Sequence, residues 1–216
     1  MDRTRKRLPR SVREREIVEA ALRVFARHGY HAAVVDEIAE LAGISKPMVY
    51  LYLGSKERLF VACVQHASRT LTVAFRDAAA SGDEPELRLW RGLSAFFHFV
   101  AEHRDSWVLL HRQAPELSAA ITDELAAARA SVLAEVGALV RRGIEEGGAD
   151  ARLGAVDADF VAHTLVGAAD SLADWMAGHP DETPERVALR LMNMIWLGMR
   201  DVLDGELWTP PPPPAE

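Results

Sequence analysis

The chain has 216 residues, 49% apolar and 26% charged, enough to bury a sizeable core and outside the composition of disordered or fibrous proteins. Its formal charge of -7 conceals an asymmetry. Residues 1–60 hold 12 Lys/Arg against 8 Asp/Glu, and residues 61–216 hold 13 against 24, so a basic front end precedes an acidic body. A single cysteine, Cys63, excludes an intrachain disulfide. The charged N-terminus lacks the apolar stretch of a signal peptide, and no run reaches 18 apolar residues, so a cytoplasmic protein with no membrane span is expected.

Long stretches rich in Ala, Leu, Glu and Arg, with scarcely any alternating β-branched runs, predict an all-α fold of about nine helices. Residues 1–10, MDRTRKRLPR, form a basic arm suited to phosphate or a minor groove through Arg5, Lys6 and Arg7; a plain solvated tail is the alternative. The spacing of Ile17, Ala20, Ala21, Val24 and Phe25 predicts a helix over 11–28, capped by Ser11 with Glu14 as reciprocal partner and ended by Gly29. A short helix over 35–42 follows. Gly43 turns the chain, and Ser45 is placed to cap a third helix, Lys46 to about Tyr52, with Pro47 tolerated in its first turn. Gly54 stops it, and Ser55 is placed to cap a fourth helix running to about Ala80.

Further helices are predicted at 86–103, 105–113, 116–146, 157–177 and 185–203, separated by the turn SGDEP, the glycines of 147–154 and the hinge GHPDETP. The Pro-rich tail, 208–216, cannot continue a helix.

Two short helices joined by Gly43-Ile44-Ser45 match a helix-turn-helix, completed by the first helix and the start of the fourth through Phe25, Leu59 and Phe60. The third helix would then project Lys46, Met48, Leu51 or Tyr52 toward base edges, while Ser45, Lys46, Tyr50 and Tyr52 reach phosphate and Lys56 marks a further anion site. A compact three-helix domain, or a helical protein-binding module, accounts for the same pattern without DNA, but leaves the basic arm unexplained. No HExxH, Walker loop, GxSxG or dinucleotide fingerprint occurs, so neither an enzyme nor a cofactor is expected. A metal site would need His98, His103 and His111 to converge, which their spacing does not require; none is expected.

The segments GY (29–30), VDEIAELAGIS (35–45) and KPMVYLYLGSKERLF (46–60) resemble the N-terminal domain of the TetR family of transcriptional regulators. Carried over to these positions, the resemblance implies that Ser45, Lys46, Tyr50, Tyr52 and Lys56 face DNA, with Pro47 at a position where small residues and proline occur. Ala33 and Val34 stand where the family has Thr and Ser or Thr, which removes a helix cap worth about 1 kcal/mol and a phosphate contact. Leu53 replaces a usual Phe.

The resemblance divides the chain into an arm (1–10), a DNA-binding domain (11–60), an effector and dimerisation domain (61–207) and the tail. It implies a homodimer on a palindromic double-stranded operator, released as a repressor by a small effector. The helix over 86–103 is apolar on two sides, so Trp90, Leu93 and Phe97, with Trp107 and Ile121 as walls and His98 and His111 as polar groups, are the expected pocket for a largely apolar effector; ordinary core packing is the alternative. The last two helices are the expected dimer seam, through Phe160, Thr164, Ala168, Ser171 and Trp175 on one and Met192, Ile195 and Met199 on the other, with intrachain packing as the alternative.

Overall fold

The computed structural model describes residues 9–80, 84–111, 117–146 and 155–203, the side chains of 79, 155–157 and 198–203 excepted. Among these residues the chain is all-α: α1 (Arg10–Ala32), α2 (Val35–Leu41), α3 (Lys46–Leu53), α4 (Lys56–Ala79), α5 (Pro85–Glu102), α6 (Arg104–His111), α7 (Ala119–Glu146), α8 (Ala155–Ala177) and α9 (Pro184–Leu203). None of these helices is long and apolar enough to cross a membrane. Residues 1–8, 81–83, 112–116, 147–154 and 204–216 lie outside the described residues, and with them most of the expected arm, part of the expected turn SGDEP, the expected glycine loop and the expected Pro-rich tail.

The chain forms two compact units, Met1–Thr72 with Phe99–Val132, and Val73–His98 with Leu133–Glu216. In the first, Ile17, Val24 and Phe25 of α1 meet Ile38 of α2, Val49 of α3, and Leu59 and Val64 of α4 in one buried cluster, joined by Leu109 and Ile121. Phe25 packs edge-on against Phe60 at 5.0 Å, and Tyr30 does so at 5.3 Å. Each such side chain contributes about 1.5–3 kcal/mol on leaving water, which is how a two-turn α2 and α3 stay helical. Cys63 is fully buried, its thiol directed at the Val18 carbonyl, and burial pushes its pKa up, so it is a core residue.

In the second unit, Leu89, Leu93, Phe96 and Phe97 of α5, Val136 and Val140 of α7, Ala162, Leu165 and Val166 of α8, and Val187, Ala188 and Leu191 of α9 are buried. Ion pairs Arg76–Glu135 and Arg88–Glu146 tie α4 and α5 to α7, and His98 reaches Glu185 of α9 at 2.9 Å.

Two expected caps are corrected. Helix α1 starts at Arg10, not Ser11: Pro9 is its N-cap, and its carbonyl takes the N–H groups of Val12 and Arg13, both at 3.1 Å. Glu14 pairs with Arg10 at 2.7 Å instead of closing a box with Ser11. Ser45 occupies the N-cap position of α3 but makes no side-chain cap bond. Ser55 does cap, its Oγ accepting the Arg58 N–H at 3.1 Å. Gly29 breaks α1 as expected, with φ 73 but ψ 173, so a last turn runs on to Ala32.

Candidate nucleic-acid interface

Helix α2 ends in a Schellman motif. The Gly43 N–H bonds the Glu40 carbonyl and the Ile44 N–H the Ala39 carbonyl, each at 3.0 Å, with Gly43 at φ 65. A side chain there would meet the steric cost of the left-handed region. Ile44 then packs on the core and Ser45, extended at ψ 153, starts α3 through its carbonyl, which accepts from Met48 at 2.9 Å and Val49 at 3.2 Å.

Along α3 the inward side is Val49, 1% exposed, with Tyr52 and Leu53 packed against the same core. Lys46, Pro47, Tyr50 and Leu51 are exposed, Leu51 at 71%, and Met48 is half-buried. The helix therefore offers an outward face beside α2, held by an α1–α2 clamp in which Glu37 meets His28 at 3.2 Å and Arg27 at 3.7 Å. Val34 is the N-cap of α2 and supplies no side-chain bond, the loss anticipated from Ala33 and Val34.

The basic side chains are not all presented to solvent. Lys46 Nζ donates to Asp36 Oδ2 at 2.8 Å; that hydrogen bond, and then the carboxylate's charge, hold its pKa above the ordinary lysine value. Lys56 Nζ donates to the His31 carbonyl at 3.0 Å and lies 5.0 Å from the centre of the Tyr30 ring, and burial lowers its pKa. Tyr52 is half-buried beneath the Arg10 guanidinium, 5.7 Å from its ring centre. So α3 gathers Ser45, Lys46, Pro47, Met48, Tyr50 and Leu51, while Tyr52 and Lys56 serve packing as well. The pairing of Asp36 with Lys46 leaves no signal in the sequence, because no helical spacing links residues ten apart. Arg5, Lys6 and Arg7 lie outside the described residues.

The expected effector residues fall in both units. Leu93 and Phe97 are buried in the second, where Trp90 and His98 are half-buried. In the first, Trp107 stacks on His111 at 3.4 Å and Ile121 is fully buried in the core cluster. On α8, Phe160 (71% exposed), Thr164, Ser171 and Trp175 lie on the exposed side, with Ala168 half-buried. On α9 the placement differs from expectation. Met192 is buried within the chain beside Ala188 and Leu191, Ile195 is half-buried, and the exposed apolar residues are Leu189, Met194 and Leu197. The Met199 side chain is outside the described set.

Residues 17–63 match the model of bacterial regulatory proteins of the tetR family, and residues 85–198 match the tetracyclin repressor-like C-terminal domain. The chain belongs to the TetR family of transcriptional regulators. A TetR-like transcriptional regulator from Rhodococcus sp. RHA1 is 35% identical and superimposes with a TM-score of 0.72, over 90% of this chain and 99% of that one. The transcriptional activator FasR of Mycolicibacterium smegmatis is 38% identical over 104 residues, 48% of each chain, and the regulator YuxN of Bacillus subtilis is 30% identical over 113 residues. The chain thus spans about half or less of these two curated relatives, 48% and 38% of their lengths.

Proposed function

We propose that this TetR-family chain is a ligand-responsive homodimer that binds a palindromic operator through α3 and represses transcription until a small, largely apolar effector releases it. The observation that carries the reading is the outward face of α3, exposed on a helix whose opposite side is fixed in the core. Two such helices in a two-fold dimer reach half-sites one helical turn apart, about 34 Å, or a multiple of it. The exposed Phe160 and Trp175 of α8 and Leu189, Met194 and Leu197 of α9 supply the apolar area for the seam. In the second unit, Trp90, Leu93, Phe97 and His98 of α5 are the residues proposed to meet the effector. An effector coupled by about 1–3 kcal/mol would change operator affinity roughly 5–150-fold.

The test is selection from random duplexes by the full chain at about 100 mM salt, with solution mass measured alongside, since affinity without stated salt has no meaning. An enriched palindrome with a dimeric mass supports the reading; salt-sensitive retention without enrichment defeats it. Acyl-CoAs, aromatic acids and hydrophobic drugs are then titrated against the complex. A compound that binds without changing operator affinity is not the inducer. Activation is the second reading, favoured by the name of the FasR relative. Transcription in vitro from a template carrying the selected operator separates the two by sign.

A further inference from the structure

We propose that the outward centre of α3, Pro47 with Leu51, reads thymine 5-methyl groups in the major groove, so that T·A pairs beneath α3 specify the operator half-site. This rests on the DNA-binding reading above. A single exposed leucine is ordinary; the position of this one is what informs. Val49, Tyr52 and Leu53 turn inward, and the side of the helix opposite them is occupied by Pro47 and Leu51, four residues apart and both exposed. Tyr50 and Lys46 flank them on one side and the half-buried Met48 on the other.

The sequence of α3, KPMVYLYL, contains no Arg, Asn or Gln. These are the side chains that pair bidentately with guanine or adenine. Its one cation, Lys46, is bound to Asp36 at 2.8 Å. What remains at the centre of the face has no hydrogen-bonding group at all, since proline lacks even the backbone N–H. Among the major-groove edges, the thymine methyl is the apolar feature such a surface can recognise. Tyr50 adds one hydroxyl at the margin.

The experiment uses the full chain and the duplex it enriches. Each thymine of the half-site is replaced in turn by deoxyuridine, which keeps the pairing and removes the methyl. The expected result is a loss of about fourfold in affinity for each contacted methyl, as burial of one such group implies, at one or two positions per half-site. In Leu51→Ala or Pro47→Ala chains with unchanged helicity, the loss disappears at the position each residue contacts. Leu51→Ala should fold, because the residue is 71% exposed. An enriched duplex indifferent to deoxyuridine, one equally sensitive in both variants, or one whose essential pairs are G·C overturns the inference and leaves DNA binding standing. Failure to enrich any duplex overturns the DNA-binding reading itself.

Discussion

Lys46 faces a choice between two anions. In the free chain it pairs with Asp36 across the turn, both side chains largely exposed. A solvent-exposed pair of this kind is screened and adds little to stability, so its effect belongs to binding. A phosphate that recruits Lys46 must first displace Asp36, and Asp36 itself repels the backbone. The Asp36→Asn variant should therefore bind unselected duplex more tightly, with the slope of log affinity against log salt steeper by about one phosphate contact, and with its thermal midpoint almost unchanged. Fluorescence anisotropy across a salt series measures this; an unchanged slope would mean that Lys46 does not meet phosphate. The rotation of α3 was only partly legible in the sequence: of the four residues expected to project, Lys46 and Leu51 are exposed, whereas Met48 and Tyr52 are half-buried. The contact of Asp36 was not legible, because it reaches Lys46 through the tertiary turn at Gly43. The contacts of Lys56 were hidden for a similar reason: Tyr30 and the His31 carbonyl lie about 25 residues earlier, beyond the break at Gly29.

At the scale of the element, the sharpest constraint is the restart between α3 and α4. Gly54 has φ 81 and ψ -69, and the Ser55 N–H bonds the Leu53 carbonyl at 3.0 Å across it. This is the rarer γ-turn, strained for any residue with a side chain. A Cβ at Gly54 would also lie 3.1 Å from Arg58 Cδ. Gly54→Ala is expected to destabilise the fold by about 1–3 kcal/mol, read as a lower midpoint in thermal or urea unfolding; an unaltered midpoint would show that the turn relaxes. Breaks of this kind are well marked in a sequence because glycine is their usual solution. Caps are less so. Ser11, Ser45 and Ser55 look alike as candidates, yet only Ser55 bonds the N–H three residues on. At α1, Pro9 with its preset φ takes the N-cap position first and leaves Ser11 inside the helix.

For the molecule as a whole, function as proposed requires two copies. Helix α9 is apolar on two sides, and periodicity cannot say which side turns inward. The structure buries Ala188, Leu191 and Met192 and leaves Leu189, Met194 and Leu197 outward. On α8 the sequence left intrachain packing open for the side carrying Phe160, Thr164, Ser171 and Trp175; the structure exposes that side and buries Ala158, Ala162, Ala169 and Ala173. Phe160→Glu combined with Leu197→Glu should leave helicity intact, since both side chains are more than half exposed, and halve the mass measured by light scattering. A dimeric mass in the double variant would place the seam elsewhere.

Everything proposed for this chain depends on sequence-specific binding through α3. Its most direct measurement is the ratio of dissociation constants for the enriched duplex and a scrambled duplex of equal length and composition, at one salt concentration. The expected ratio is at least about 10³, the lower range for specific protein–DNA recognition, reduced by about fourfold for each thymine methyl that the Leu51→Ala chain no longer contacts. Equal affinities for the two duplexes, falling together with salt, would contradict it.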